Sequence, residues 1–220
     1  MNNPNTETTL SDFITPRYWP TWIGIGILRL CICLPFRWQQ TLGAIIGQLG
    51  YYLAKSRRKI TATNIRLCFP ELSPAEQKDL TIKTFRSTGK AIFETGLSWW
   101  GNERKLDNLC QIEGLENLQQ ALKQKKGVIL LSAHFTSLEI GGRLLSLHQP
   151  FQVVYKKAHN PLFELFMQRA REKHYQRAIQ TYDLRGMLKG LKENKVSWYA
   201  SDQDFGTKQS IFVPFMGVTA

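Results

Sequence analysis

Gly127-Val128-Ile129-Leu130-Leu131-Ser132-Ala133-His134-Phe135-Thr136-Ser137-Leu138-Glu139 runs from an unbroken apolar segment into the start of a helical pattern. Val128 to Leu131, bounded by Gly127 and small residues, suit a strand buried on both faces of an α/β domain. His134 then falls at the strand tip, and Glu139 in the first turn of the helix that begins near Thr136. An imidazole titrates near neutral pH, and a carboxylate on its other nitrogen fixes the tautomer and stabilises the imidazolium. Such a pair activates a hydroxyl. Thr136-x-x-Glu139 is also a capping box, in which Glu139 only returns to the backbone N–H of Thr136. On the residues alone both readings of Glu139 stay open.

Downstream, strand-like and helix-like pieces alternate: 152–156, 161–174, 178–181, 184–194 and 196–200. That order predicts right-handed crossovers around a mixed or mostly parallel sheet flanked by helices. Asn160 caps and Pro161 opens one of these helices, whose apolar arc holds Leu162, Phe163, Phe166 and Ala170. Arg169 flanks that arc and Arg171 sits at its other edge, with Glu164, Gln168 and Glu172 on the polar face. An arginine beside a buried face is a candidate phosphate fork or a structural ion pair. Ser201-Asp202-Gln203-Asp204-Phe205-Gly206 follows the last strand, so its carboxylates leave the sheet at the edge where His134 sits. The D-x-D spacing lacks the further oxygen ligands of a calcium loop.

Upstream, residues 1–15 read as a polar, disordered tail without a signal-peptide pattern. Tyr18 to Phe36 carry one charge, Arg29, among apolar residues, with Trp19, Trp22 and Trp38 near the ends, a length that predicts a membrane segment. Leu42 to Ala54 are too few to span and place Gly43, Gly47 and Gly50 at helical spacing, which suits a packed or membrane-lying helix. Lys55, Arg57, Arg58 and Lys59 follow directly, putting the bulk of the chain on the cytoplasmic side, with headgroup contact or a solvated helix end as the use of that run. Ser73-Pro74-Ala75-Glu76 starts a helix with Ile82, Phe85, Gly89, Ile92, Phe93 and Gly96 on one face. Three regions follow: a tail at 1–15, a membrane-anchoring helical region at 16–60 and an α/β domain at 61–220.

The 220 residues carry a formal charge of +12, which calls for acidic partners. Nucleic acid is not among them, because no finger, helix-turn-helix or ribonucleoprotein signature accompanies the charge. Cys31, Cys33, Cys68 and Cys110 form no C-x-x-C pair and have no histidine at zinc spacing, so free thiols are expected.

His134-x4-Glu139, then Asn160-Pro161-Leu162, then Asp202-Gln203-Asp204-Phe205-Gly206, behind such an N-terminal segment, resemble the late acyltransferases of lipid A biosynthesis, the lauroyl and myristoyl transferase family. The likeness runs from about Pro16 to the last residue. It implies a glycerol-3-phosphate acyltransferase-like fold and transfer of a fatty acyl chain from acyl-acyl carrier protein to a hydroxyl of a lipid A precursor, Kdo-modified lipid IVA. His134 is then general base and Glu139 its orienting carboxylate, with no metal or cofactor required. Arg169 and Arg171 match basic positions that hold phosphate or the carrier arm. Asp202 and Asp204 match an acidic motif that positions the headgroup or a neighbouring arginine. The implied location is the bacterial inner membrane, single-pass or monotopic, with the catalytic part cytoplasmic and anionic lipid in contact. The family continues past the position of Ala220, so the chain reads as incomplete at its C-terminus. A lysophospholipid, ornithine lipid or mannolipid acceptor, or a catalytically inactive membrane adaptor, are the competing readings.

Overall fold

A computed structural model describes residues 9–203 and 211–219. The N-terminal half is helical: α1 (Trp19–Cys31), α2 (Phe36–Leu53), α3 (Lys55–Cys68), α4 (Pro74–Trp100), the single-turn α5 (Glu103–Asp107) and α6 (Leu115–Leu122). Then β1 (Val128–Ser132), α7 (Leu138–Ser146), β2 (Gln152–Tyr155), α8 (Pro161–His174), β3 (Arg177–Gln180), α9 (Leu184–Lys192) and β4 (Val196–Ala200) alternate as their sequence pattern predicts. A short hairpin, β5 (Pro214–Phe215) and β6 (Val218–Thr219), turns at Met216 and Gly217, both at positive φ.

The main sheet is parallel, in the order β1-β4-β2-β3. Ser132 pairs with Ala200 in the β1–β4 register, so the two chains leave the sheet side by side. Across the sheet's centre Gln152 is fully buried and donates to Ser197 Oγ at 2.6 Å. Gly127, at φ +71°, enters β1 where a side chain would meet the Leu191 backbone. Its N–H donates to Asn194 Oδ1 at 3.1 Å, which joins the two turns below β1 and β4. β1 is not buried on both faces: it lies at the sheet's edge, and Ile129 and Leu131 are 52% and 70% exposed.

The long helix α4 organises the rest. Ser73 and Glu76 close a reciprocal capping box with Pro74 in the first turn, as the sequence predicts. Gly43 and Gly47 of α2 meet Gly89 of α4 with backbone against backbone; a Cβ on Gly43 would stand 2.6 Å from Lys90 Cα. At the far end Trp99 is buried with Tyr155, Met167 and Ala170. Ser87 Oγ and Thr136 Oγ1 share a 2.8 Å hydrogen bond that ties α4 to the turn after β1.

The N-terminal membrane segment is not confirmed by the structure. Part of the supposed tail is ordered: Leu10–Phe13 form a 3-10 turn capped by Thr9 and Asp12, and Phe13 is buried. Trp22 Nε1 donates to the Phe13 carbonyl at 2.9 Å, which gives that turn a partner. Among the described residues no helix is long and apolar enough to cross a membrane. The apolar run from Tyr18 to Phe36 is interrupted by a turn before Pro35, leaving α1 with 13 residues. That is about 20 Å of helix against about 30 Å of hydrocarbon. One face of α1 is taken by protein: Leu28 and Ile32 close over Gly96, and Trp22 packs edge-on against Phe166 at 5.6 Å.

Candidate active site

Two residues past the paired Ser132 and Ala200 stand His134 and Asp202, and the parallel register brings them together. Asp202 Oδ2 accepts the His134 backbone N–H at 2.8 Å, while Oδ1 lies 2.6 Å from the ring Nδ1. Burial pushes the Asp202 carboxyl up, but the His134 amide and ring outweigh it and hold the group below the usual carboxylate range. With an ionised carboxylate on Nδ1, that nitrogen carries the proton and Nε2 is left with its lone pair. The His134 side chain is 38% exposed, so the ring is open to a reactant.

His134 stands on the wall of a cavity of about 260 Å³. Glu139, Arg171, Tyr155 and Lys156 line its polar side, and Phe151, Tyr175, Trp198 and Leu138 its apolar side. The cavity opens where the parallel strands end, the usual place for sites in such sheets.

Glu139 lines this cavity and is hydrogen-bonded neither to His134 nor to the backbone N–H of Thr136 among the described residues. Helix α7 starts at Leu138 after an N-cap at Ser137 without a side-chain cap, and the Thr136 hydroxyl is engaged by Ser87, so no capping box forms. The carboxylate on His134 is Asp202, and Glu139 is instead ion-paired with Arg171. Arg171 also lies over the Tyr155 ring at 4.7 Å. Among the described residues its Nε and Nη1 are buried without a hydrogen-bond partner. Burial, chiefly, and the neighbouring Glu164 push the Tyr155 hydroxyl up to about 12, so it stays protonated and donates to Glu164 Oε1 at 3.2 Å. Glu164 also accepts the Ala158 N–H at 2.7 Å.

The two arginines of α8 are placed unlike the sequence pattern. Arg171 is buried on the cavity wall, whereas Arg169 is exposed and does not line it. Helix α8 is rotated so that Leu162, Glu164, Met167, Ala170 and Arg171 face inward. A carboxylate satisfied by a tyrosine and a backbone N–H can be buried there. Asn160 caps α8 as expected, its Oδ1 accepting from Leu162 and Phe163, and its Nδ2 donates to Thr21 Oγ1 of α1 at 2.8 Å. Asp204 lies outside the described residues. The cavity residues Phe151, Tyr155, Tyr175 and Trp198 carry no motif and become visible only once the sheet is assembled.

Residues 8–220 match the family described as "Bacterial lipid A biosynthesis acyltransferase". The chain is 37% identical over 217 residues to the lipid A biosynthesis lauroyltransferase of Escherichia coli K12, covering 99% of this chain and 70% of that protein. It is 39% identical over 207 residues to the lipid A biosynthesis palmitoleoyltransferase of the same organism, covering 94% and 68%. A lipid A biosynthesis acyltransferase of Haemophilus influenzae is 34% identical over 220 residues, covering 99% and 70%. The chain therefore belongs to the bacterial lipid A biosynthesis acyltransferase family, and is an acyltransferase.

Proposed function

We propose that this acyltransferase moves a fatty acyl chain from acyl-acyl carrier protein to a hydroxyl of Kdo-modified lipid IVA, with His134 as general base and Asp202 as the carboxylate that orients it. The observation that carries this reading is the two-point hold of Asp202 on His134 beside the cavity. His134 Nε2 takes the proton of the acceptor hydroxyl as its oxygen attacks the thioester carbonyl carbon. The C–O bond forms, the C–S bond breaks, and the imidazolium returns its proton to the leaving thiolate. No enzyme nucleophile is required. Asp202 keeps the proton on Nδ1 and stabilises the imidazolium between the two transfers.

Arg171 is the cation we assign to the substrate side, because it lines the cavity and its Nε and Nη1 are buried without a partner among the described residues. Glu139 holds that guanidinium in place. The role of Glu139 in catalysis is thus exercised through Arg171 rather than through the imidazole.

The reading extends to location: a monotopic contact with the cytoplasmic face of the inner membrane. Its support is the outward apolar face of Trp19, Ile23, Ile27 and Leu30 on α1 and of Trp38, Ile45, Leu49 and Leu53 on α2, each more than half exposed. Mass spectrometry of a lipid A precursor incubated with the protein and acyl-carrier donors of several lengths tests the reaction. One added acyl group, absent with His134→Ala, is expected. Acylation of a lysophospholipid or ornithine lipid, with the lipid A precursor untouched, would replace the acceptor.

A further inference from the structure

A second cleft, of about 690 Å³, lies away from His134 between the end of α2, the length of α3 and the first half of α4. Lys55, Arg58, Lys59 and Arg66 from α3 and Lys78 from α4 converge on it, and among the described residues no carboxylate lines it. The sequence run at Lys55 to Lys59 accounts for only part of this set; the fold adds Arg66 and Lys78. Among the described residues none of the five is in an ion pair. Two acids at the start of α4 are engaged elsewhere: Asp79 with Lys83 at 2.7 Å and Glu76 with the Ser73 cap. Arg58 is held in place, over the Tyr51 ring at 5.1 Å and donating to the Tyr51 carbonyl at 3.3 Å. Tyr51 and Thr81, both buried, form the floor.

We infer that this cleft is a docking site for the phosphate headgroup of an anionic membrane lipid. The inference rests on the membrane contact proposed above and gives it a chemical preference. Tyr52 and Leu53, which follow the cleft residue Tyr51 at the end of α2, are 58% and 80% exposed, which favours a lipid over a soluble acidic protein. Phosphate oxygens take the charge-assisted hydrogen bonds of arginine and lysine, and the flanking apolar side chains meet the acyl region below the headgroup. A concave group of cations selects a headgroup that a flat basic surface would only attract.

Co-sedimentation of the full chain with vesicles of phosphatidylcholine alone and of phosphatidylcholine mixed with phosphatidylglycerol tests this. Each basic residue near an anionic surface is worth about fivefold in partitioning. The wild-type protein is expected to bind the phosphatidylglycerol vesicles at least about tenfold more tightly. Lys59→Gln/Arg66→Gln/Lys78→Gln leaves the Arg58–Tyr51 packing intact, and should lower binding to the phosphatidylglycerol vesicles by about 10²-fold while leaving binding to the neutral ones unchanged. Inorganic phosphate, at ionic strength matched with chloride, should leave binding unchanged, since a lipid and not the free ion occupies the cleft. An unchanged phosphatidylglycerol preference in the triple variant overturns the inference, as does displacement by free phosphate. A preserved preference with a raised KM for the acyl-carrier donor in detergent would assign the cleft to the carrier instead. Wild-type protein that binds neither vesicle would sink the membrane contact itself, a result distinct from equal binding to both, which sinks only the headgroup site.

Discussion

Arg171 of α8 is ion-paired with Glu139 of α7 while its Nε and Nη1 are buried and, among the described residues, unpartnered. A guanidinium whose fork is only partly used at a cavity wall is positioned to take one more group.

Lysine cannot supply two directed donors in that place. Arg171→Lys should keep the fold and raise KM for the phosphorylated acceptor at least about tenfold. Arg169→Lys, at an exposed position, should leave both kinetic constants near wild type. Equal effects from the two substitutions, measured by steady-state kinetics, would remove Arg171 from the substrate side.

How far this site could be read in the sequence depended on whether the signal was local. His134 at the strand tip, the caps at Ser73 and Asn160, and the alternation of strands and helices are local, and the structure reproduces them. The His134–Asp202 contact is not local: it follows from β4 inserting next to β1, so that Ser132 and Ala200 are in register. Sixty-eight residues separate the pair, and only strand order reveals it. The unequal placement of Arg169 and Arg171 was not legible because hydrophobicity places Glu164 outward, whereas Tyr155 and the Ala158 N–H satisfy it inside. The spanning segment is not confirmed, because composition does not show the turn before Pro35 or the cover of α1 by Phe166 and α4.

The α2–α4 crossing depends on bare backbones. Gly47→Ala or Gly89→Ala forces a methyl into the opposite helix's backbone, and should cost about 1–3 kcal/mol in urea unfolding. Gly24, exposed in α1 with nothing near its missing side chain, supplies the contrast: Gly24→Ala should stabilise by about 0.5–1 kcal/mol. Destabilisation of equal size at Gly24 would mean that generic helix effects, not the close crossing, are being measured.

Burial holds the His174 imidazole below its ordinary pKa, with the Trp99 carbonyl acting the other way. Its folded value is therefore below the unfolded one, about 6.5. Its contribution to stability is complete above that pH and is lost as the pH falls through the folded value, because the unfolded chain binds the proton first. Urea midpoints should fall between about pH 7 and pH 5, and His174→Gln should flatten that part of the curve. An unaltered slope in the variant would place the acid sensitivity elsewhere.

The central claim is that Asp202, and not Glu139, acts through His134, and the most direct test is a double-variant rate cycle on acyl transfer. His134→Ala and Asp202→Asn should each lower kcat by about 10²–10⁴, with a native circular dichroism spectrum. The double variant should be scarcely slower than His134→Ala alone, since Asp202 has no ring left to orient. Independent, multiplicative losses, or an Asp202→Asn protein at near-normal rate, would contradict the account.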